Sequence, residues 1–358
     1  MPRTATARIH GRVDPAPTAQ CRGGQEDAVN LRTIVSLIDF SPTDTLAVAQ
    51  ALSLARWHDA DVHLVHVFPS RGGSRPDHAS DAHRERMERF VAELKPEGVR
   101  VVPVALTGDA AKAITRYSED VDAEAIVVPQ RRRRGYRSAG AFAAALGRLG
   151  RTPILAVPSR GDTQTDARAL FKNVVAAVDF SEVSLRALDQ ALTLVQQSQG
   201  HLTLLHVLEG LPSEILYSAS RAFRLVGEYR ARVERVNREL RALVPRDALN
   251  WCDVDAVTMS GESHEAILAT AADRRADLIV MGLPRKPRLE QLLAGSTVKS
   301  VLRRTACAVL LVPGSSAVSA PYSRLLPDHR EEFERYSVAP AMRPVAAVGR
   351  HEGALSWP

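Results

Sequence analysis

Four short stretches in the second half of this 358-residue chain carry residue types suited to a phosphate-bearing ligand. Gly282 closes the apolar run DLIVMG, and Gly295-Ser296-Thr297 stands at or within the opening of the next helical segment. Small residues let a phosphate approach backbone N–H groups, and a helix N-terminus favours its negative charge. Asp179 ends the run NVVAAVD, His206-Val207 ends HLTLLHV, and Gly261 follows WCDVDAVTM. In open parallel sheets ligands bind beyond such carboxyl ends, where the strand order reverses. Plainer readings stand beside these. Asp179, like Asp39 in the first half, precedes a helix start and could simply cap it. His206 reads as a packed strand-end histidine, and Cys307, opening an apolar strand, as inert core. His63 and His66 are three apart on one strand, so they point to opposite faces and cannot share a metal. The chain contains no G-x4-G-K-[ST], G-x-G-x-x-G, H-E-x-x-H or G-x-S-x-G. It therefore offers nothing for a conventional kinase, dehydrogenase, metalloprotease or α/β-hydrolase.

The elements that must position these residues occur twice. LRTIVSLIDFSPTDTLAVAQALSLARWHDADVHLVHVF, from Leu31, aligns without a gap on FKNVVAAVDFSEVSLRALDQALTLVQQSQGHLTLLHVL, from Phe171, at an offset of 171 − 31 = 140. Twelve of the 38 positions are identical, among them Asp39/Asp179, Phe40/Phe180, Ser41/Ser181 and His66/His206. The alignment resumes at Gly108/Gly261, an offset of 153, and at Thr152/Cys307, an offset of 155. Each repeat alternates short apolar β-branched runs, expected of strands covered on both faces, with helical periodicity. Ser181 sits at an N-cap position, and Leu185, Leu188, Leu192 and Val195 recur as one helical stripe. Five strands and four helices per repeat predict two tandem, doubly wound, five-stranded parallel α/β domains, Rossmann-like in plan. The boundaries read as a tail over 1–28, domains over 29–159 and 170–314, a polar linker over 160–169 and a C-terminal tail over 315–358. Both tails read as disordered or loosely attached. The fifth strands, ILAVP and VLLVP, are short, apolar and at a sheet edge, so they are expected to meet near a pseudo-twofold axis.

Composition excludes other classes. Hydrophobic residues are 45% and charged residues 25%, with 21 Gly and 21 Pro, ordinary for a globular chain and wrong for collagen or wholesale disorder. The net charge of +6, from 47 basic and 41 acidic residues, is mild, and aromatics are only 5%, so nucleic-acid binding is not expected. No long apolar run suits a membrane helix, and the first residues lack the apolar core of a secretory signal. Three cysteines without a C-x-x-C pair fit a reducing compartment, so a cytoplasmic location is expected.

The VDFSE…A…LLHV pattern together with ADLIVMG…GS…V…VLRRTACAVLLVP resembles the universal stress protein family, here as a tandem of two domains. The resemblance covers about residues 31–158 and 171–313. It implies a stress-response regulatory protein in which nucleotide-binding members carry G-x2-G-x9-G-[ST] after strand four. Carried over, Gly282, Gly295 and Ser296, with Thr297 beside them, would hold phosphates and ribose. Asp179 and Val207 would address the adenine of ATP, possible with Mg²⁺. One position departs: Arg285 stands where the second glycine belongs, between Pro284 and Pro287, and could offer its guanidinium to a phosphate instead. The first repeat departs further. Pro129 replaces the first glycine, Ala141 follows Gly140, and the loop is two residues shorter and holds Arg131 to Arg134. That arginine run reads as a solvated loop, with a nucleic-acid or acidic-partner patch as the minority reading. The second repeat is thus expected to bind the nucleotide and the first to be structural, the two forming an intramolecular pseudo-dimer that could itself dimerise. With no positioned base, Walker lysine or acidic metal cluster, the chain is read as non-enzymatic, at most a slow ATP hydrolase. The alternative is a nucleotide-free interaction module acting through a protein partner.

Overall fold

The computed structural model describes residues 5–9, 31–41, 44–68, 81–94, 96–130, 139–158, 171–208, 219–284 and 294–314. A short strand β1 (Ala5–Ile9) precedes the first repeat, which runs β2 (Thr33–Leu37), α1 (Asp44–His58), β3 (Asp61–Phe68), α2 (Asp81–Leu94), β4 (Val101–Thr107), α3 (Ala110–Asp120), β5 (Ala125–Gln130), α4 (Ala139–Leu149) and β6 (Ile154–Pro158). The second runs β7 (Asn173–Ala177), α5 (Glu182–Ser198), β8 (His201–Leu208), α6 (Ala219–Ala242), β9 (Asp253–Ser260), α7 (Ser263–Asp273), β10 (Leu278–Leu283), α8 (Ala294–Arg304) and β11 (Ala308–Pro313). The apolar runs became strands because both faces are covered: Ile34, Val35 and Leu37 of β2 have no exposed surface. The stripe Leu185, Leu188, Leu192 and Val195 is the buried face of α5. Ser181 caps that helix by accepting from the Ser184 N–H, and Gln199 ends it in the left-handed region at φ 50°.

One sheet carries the order β1-β9-β8-β7-β10-β11-β6-β5-β2-β3-β4. Within each repeat this is third, second, first, fourth, fifth, so the order reverses between β7 and β10, and between β2 and β5. The registers are those of a duplication. Thr33 lies opposite Asp61 as Asn173 lies opposite His201, and Ile34 opposite Ala125 as Val174 lies opposite Leu278. The repeats join through β6 and β11, which pair antiparallel with Leu155 opposite Leu310. These two leucines are equivalent at the offset of 155, so the expected pseudo-twofold axis passes beside them. A single core runs through the junction, including Phe142, Leu146, Ile154, Leu283, Leu302 and Leu311. Residues 1–318 accordingly form one compact unit.

The N-terminal stretch adds one strand that the sequence reading did not name. Within the stretch 1–28, read as a tail, Ala5–Ile9 pairs antiparallel with β9, from Ala5 opposite Thr258 to Ile9 opposite Val254. Without it β9 would be an edge strand with a row of unpaired N–H and C=O groups, and that backbone demand outweighs the segment's lack of apolar periodicity. The linker 160–169, the arginine run 131–134 and the stretch 315–358 lie outside the described residues.

Candidate functional site

In the second repeat, β7 gives way to α5 through a turn at Asp179-Phe180-Ser181. Asp179 Oδ1 accepts from the Ser181 N–H at 3.0 Å and from the Ser181 hydroxyl, while the Asp179 N–H donates to Ser184 Oγ at 3.2 Å. Phe180 is held at φ 58°, a left-handed conformation that is costly for a bulky side chain. The first repeat builds the same turn with one exchange. Ser41 N–H donates to Asp39 Oδ1 at 3.2 Å, Phe40 sits at φ 63°, and Asp44 stands where the second repeat has Ser184. The Asp44 carboxylate accepts from the N–H of Asp39 at 2.6 Å and of Ser41 at 3.0 Å. Asp39 and Asp179 therefore both have a structural task. A carboxylate has about four acceptor positions, so the exposed Asp179 can hold its turn and still receive a donor from a ligand.

The strand-two histidines lock these turns from the side. His206 is buried, with Nδ1 at 2.7 Å from the Val178 carbonyl oxygen, and His66 Nδ1 lies 3.0 Å from that of Ile38. A carbonyl only accepts, so Nδ1 is the protonated nitrogen in both rings. Each ring tilts against the neighbouring phenylalanine, 5.1 Å from Phe180 and 5.0 Å from Phe40 between centroids. His206 is thus the packed strand-end histidine expected of it. His63 has a different partner, with Nδ1 at 2.7 Å from the Tyr117 hydroxyl on α3.

Gly282, next to last in β10, lies directly against the first turn of α5. A Cβ there would stand 2.8 Å from the carbonyl carbon and oxygen of Val183 and 2.9 Å from the Ser184 nitrogen. Only glycine permits that approach of two backbones. Because β7 lies between β8 and β10, Asp179, half-buried Val207 and Gly282 are brought to one end of three adjacent strands. Gly295, Ser296 and Thr297 fall in the opening turn of α8, whose N–H groups lack helical acceptors and form the positive end of the helix dipole. Arg285 lies outside the described residues.

The first repeat uses the matching positions otherwise. Pro129 is buried in β5 and supplies no N–H. Gly140, equivalent to Gly295, faces the second repeat: a Cβ on it would lie 2.8 Å from Leu302 Cβ and 3.1 Å from Leu302 Cδ1. Gln130, next to Pro129, donates from Nε2 to the Leu302 carbonyl. Over the strand-one turn, α2 brings Phe90 edge-on to Phe40 at 5.8 Å, and the Arg86 guanidinium stacks 4.3 Å above the Phe40 ring. Protein groups and the junction between repeats thus take up this end of the first repeat.

Two carboxylates that the sequence reading passed over pin each strand one to its strand four. Glu124 accepts from the N–H of Thr33 at 2.8 Å, and Asp277, its equivalent, from those of Lys172 at 2.7 Å and Asn173 at 3.1 Å. Burial holds the Asp277 carboxyl above its ordinary pKa, against the pull of those backbone donors. The signal was an acidic residue directly before strand four in both repeats. A polar cavity of about 570 Å³, lined by Ser118, Glu119, Asp122, Arg151 and Thr152 among others, shares no residue with either strand-end site. Among the described residues, the one three-residue group with metal-ligand donor atoms within reach of each other is Glu262, His264 and Glu265, at the start of α7 and mostly exposed.

A model of the universal stress protein family matches residues 30–158 and again residues 170–313. A universal stress protein of Thermus aquaticus is 34% identical over 148 residues, which is 40% of this chain and 99% of that protein. One from Methanocaldococcus jannaschii is 28% identical over 149 residues, 40% of this chain and 82% of the relative. The crystal structure of a universal stress protein from Archaeoglobus fulgidus superposes with a TM-score of 0.58 at 21% identity, covering 79% of this chain and 97% of that one. That likeness concerns the fold.

Proposed function

Given that the chain belongs to the universal stress protein family, with one such domain in each repeat, we propose that it is a cytoplasmic stress-response regulator whose second repeat binds an adenine nucleotide and whose first repeat is structural. The observation that carries this reading is the difference between the repeats at equivalent positions. The second has Gly282 at the end of strand four and Gly295-Ser296-Thr297 in the opening turn of α8. The first has Pro129, and its Gly140 packs on Leu302. In this reading the adenine lies between Asp179 and Val207, and the phosphates of ATP meet the N–H groups at the start of α8. Arg285 adds a charge-assisted contact to the phosphates. Asp179 is the acidic side chain of this set, and its Oδ1 is engaged in the turn, so Mg²⁺ would be held by phosphate oxygens and water rather than by a protein cage.

A ligand that binds only the folded state raises its stability. ATP with Mg²⁺ is therefore expected to raise the melting temperature of the full chain, and protein purified from cells is expected to release adenine nucleotide on acid extraction. The shift should vanish in Gly295→Val, where a branched side chain fills the phosphate position. One observation favours the nucleotide-free interaction module: Gly282 has a packing reason to be glycine whether or not a ligand binds. No shift in the wild type and no extracted nucleotide would leave that module as the function.

A further inference from the structure

The two ends of the sheet are the same strand of the two repeats, yet the fold treats them differently. β9 carries β1 on its outer side, while β4 ends the sheet. At the offset of 153, Ala256 in the middle of the β1-paired stretch corresponds to Pro103 in β4. Pro103 lies within a continuous ladder from Val62 opposite Val101 to Phe68 opposite Thr107. A proline is accommodated in an edge strand where its missing N–H would point outward. β4 therefore lacks a donor in its outer row, and β9 keeps that donor at Ala256. The row on β9 is met by five residues of the chain's own N-terminus, antiparallel, against an otherwise parallel half-sheet.

We propose that the outer edge of β9 is a strand-docking surface whose occupant is the segment Ala5–Ile9 of the same chain, while Pro103 closes the equivalent edge of the first repeat. Recognition is by main-chain hydrogen bonds in the manner of strand addition, with Ala7 opposite Ala256 at the centre. Docking within one chain is within reach. Eight strand steps separate β1 from β2, roughly 38 Å at ~4.8 Å per step. The 21 residues from 10 to 30 can extend to roughly 70 Å at ~3.3 Å each.

Hydrogen exchange on the full chain tests this. In the wild type, alternate amides of Val254 to Thr258 that do not pair with β8 should be protected. Ala7→Pro with Ile9→Pro, which removes two of the β1 donors that face β9, should speed their exchange at least tenfold and leave the β8-facing amides unchanged. A synthetic peptide of residues 3–11 should restore protection, and the same peptide with both prolines should not. Ala256→Pro, which copies Pro103 into β9, should release the amides of residues 5–9. Equal exchange in wild type and double-proline variant, or failure of the native peptide to restore protection, would overturn the proposal. Protection in the wild type that grows with protein concentration would also overturn it, because the occupant would then be the strand of a second copy.

Discussion

Gly282 shows how one residue can answer to packing and to ligand at once. Its Cα faces the Val183 backbone at a distance that leaves no room for a methyl group. Gly282→Ala is expected to push the start of α5 away from β10 and cost about 1–3 kcal/mol, the usual range for overpacking. Urea denaturation without nucleotide measures this, and the loss should appear in the ligand-free protein. A second residue-scale effect concerns pH. His58 and His63 are held below their ordinary pKa chiefly by burial, with Asp61 pulling His63 the other way and Arg100 adding to the depression. The unfolded chain then binds protons more readily than the folded one near the ordinary histidine value of about 6.5. Stability from these groups is present above that value and is lost as pH falls below it through the folded-state pKa. The denaturation midpoint of the wild type should drop over that window. His63→Gln, which keeps a polar group near the Tyr117 hydroxyl, should flatten part of the drop.

At the scale of elements, the crossing of α4 and α8 decides how the repeats sit together. Gly140→Val would drive a side chain into Leu302, whose Cβ is 2.8 Å from where a Cβ on Gly140 would stand. The expected loss is about 1–3 kcal/mol. Leu302→Ala removes the Cδ1 contact at 3.1 Å but keeps the Cβ, so in a double-mutant cycle it should recover only part of that loss. Strands and helices were largely legible in the sequence, since a repeated alternation of apolar runs and 3.6-residue stripes fixes both kind and order. The pairing of ILAVP with VLLVP was legible too, from its apolar edge. What sequence could not separate was a glycine kept for phosphate from one kept for a helix crossing. Gly140 is followed by alanine and reads as the remnant of a phosphate loop, yet it carries a contact with a residue 162 positions away, 302 − 140. Strand β1 was illegible because its reason lies in the open backbone of β9, not in its own side-chain pattern. Asp39 and Asp179 stood with two readings, cap or ligand contact; Ser181 is the cap of α5, and each aspartate holds the turn before its helix while leaving room for a ligand donor.

The whole molecule is a duplicated unit in which one core crosses the junction between repeats. The halves should therefore unfold together. Trp57 lies in the last turn of α1 in the first repeat and Trp251 precedes β9 in the second, both about half exposed, so each reports on one half. With Trp357→Phe as background, variants carrying Trp57 alone and Trp251 alone should give coincident denaturation curves once corrected for the stability change of each replacement. Two separated transitions would show that the repeats fold as independent domains. The same duplication makes the asymmetry of function testable by counting. Isothermal titration of ATP with Mg²⁺ into the nucleotide-free full chain should give one equivalent per chain, with binding abolished by Gly295→Val. Two equivalents, or an unchanged isotherm in that variant, would contradict the assignment of the nucleotide to the second repeat.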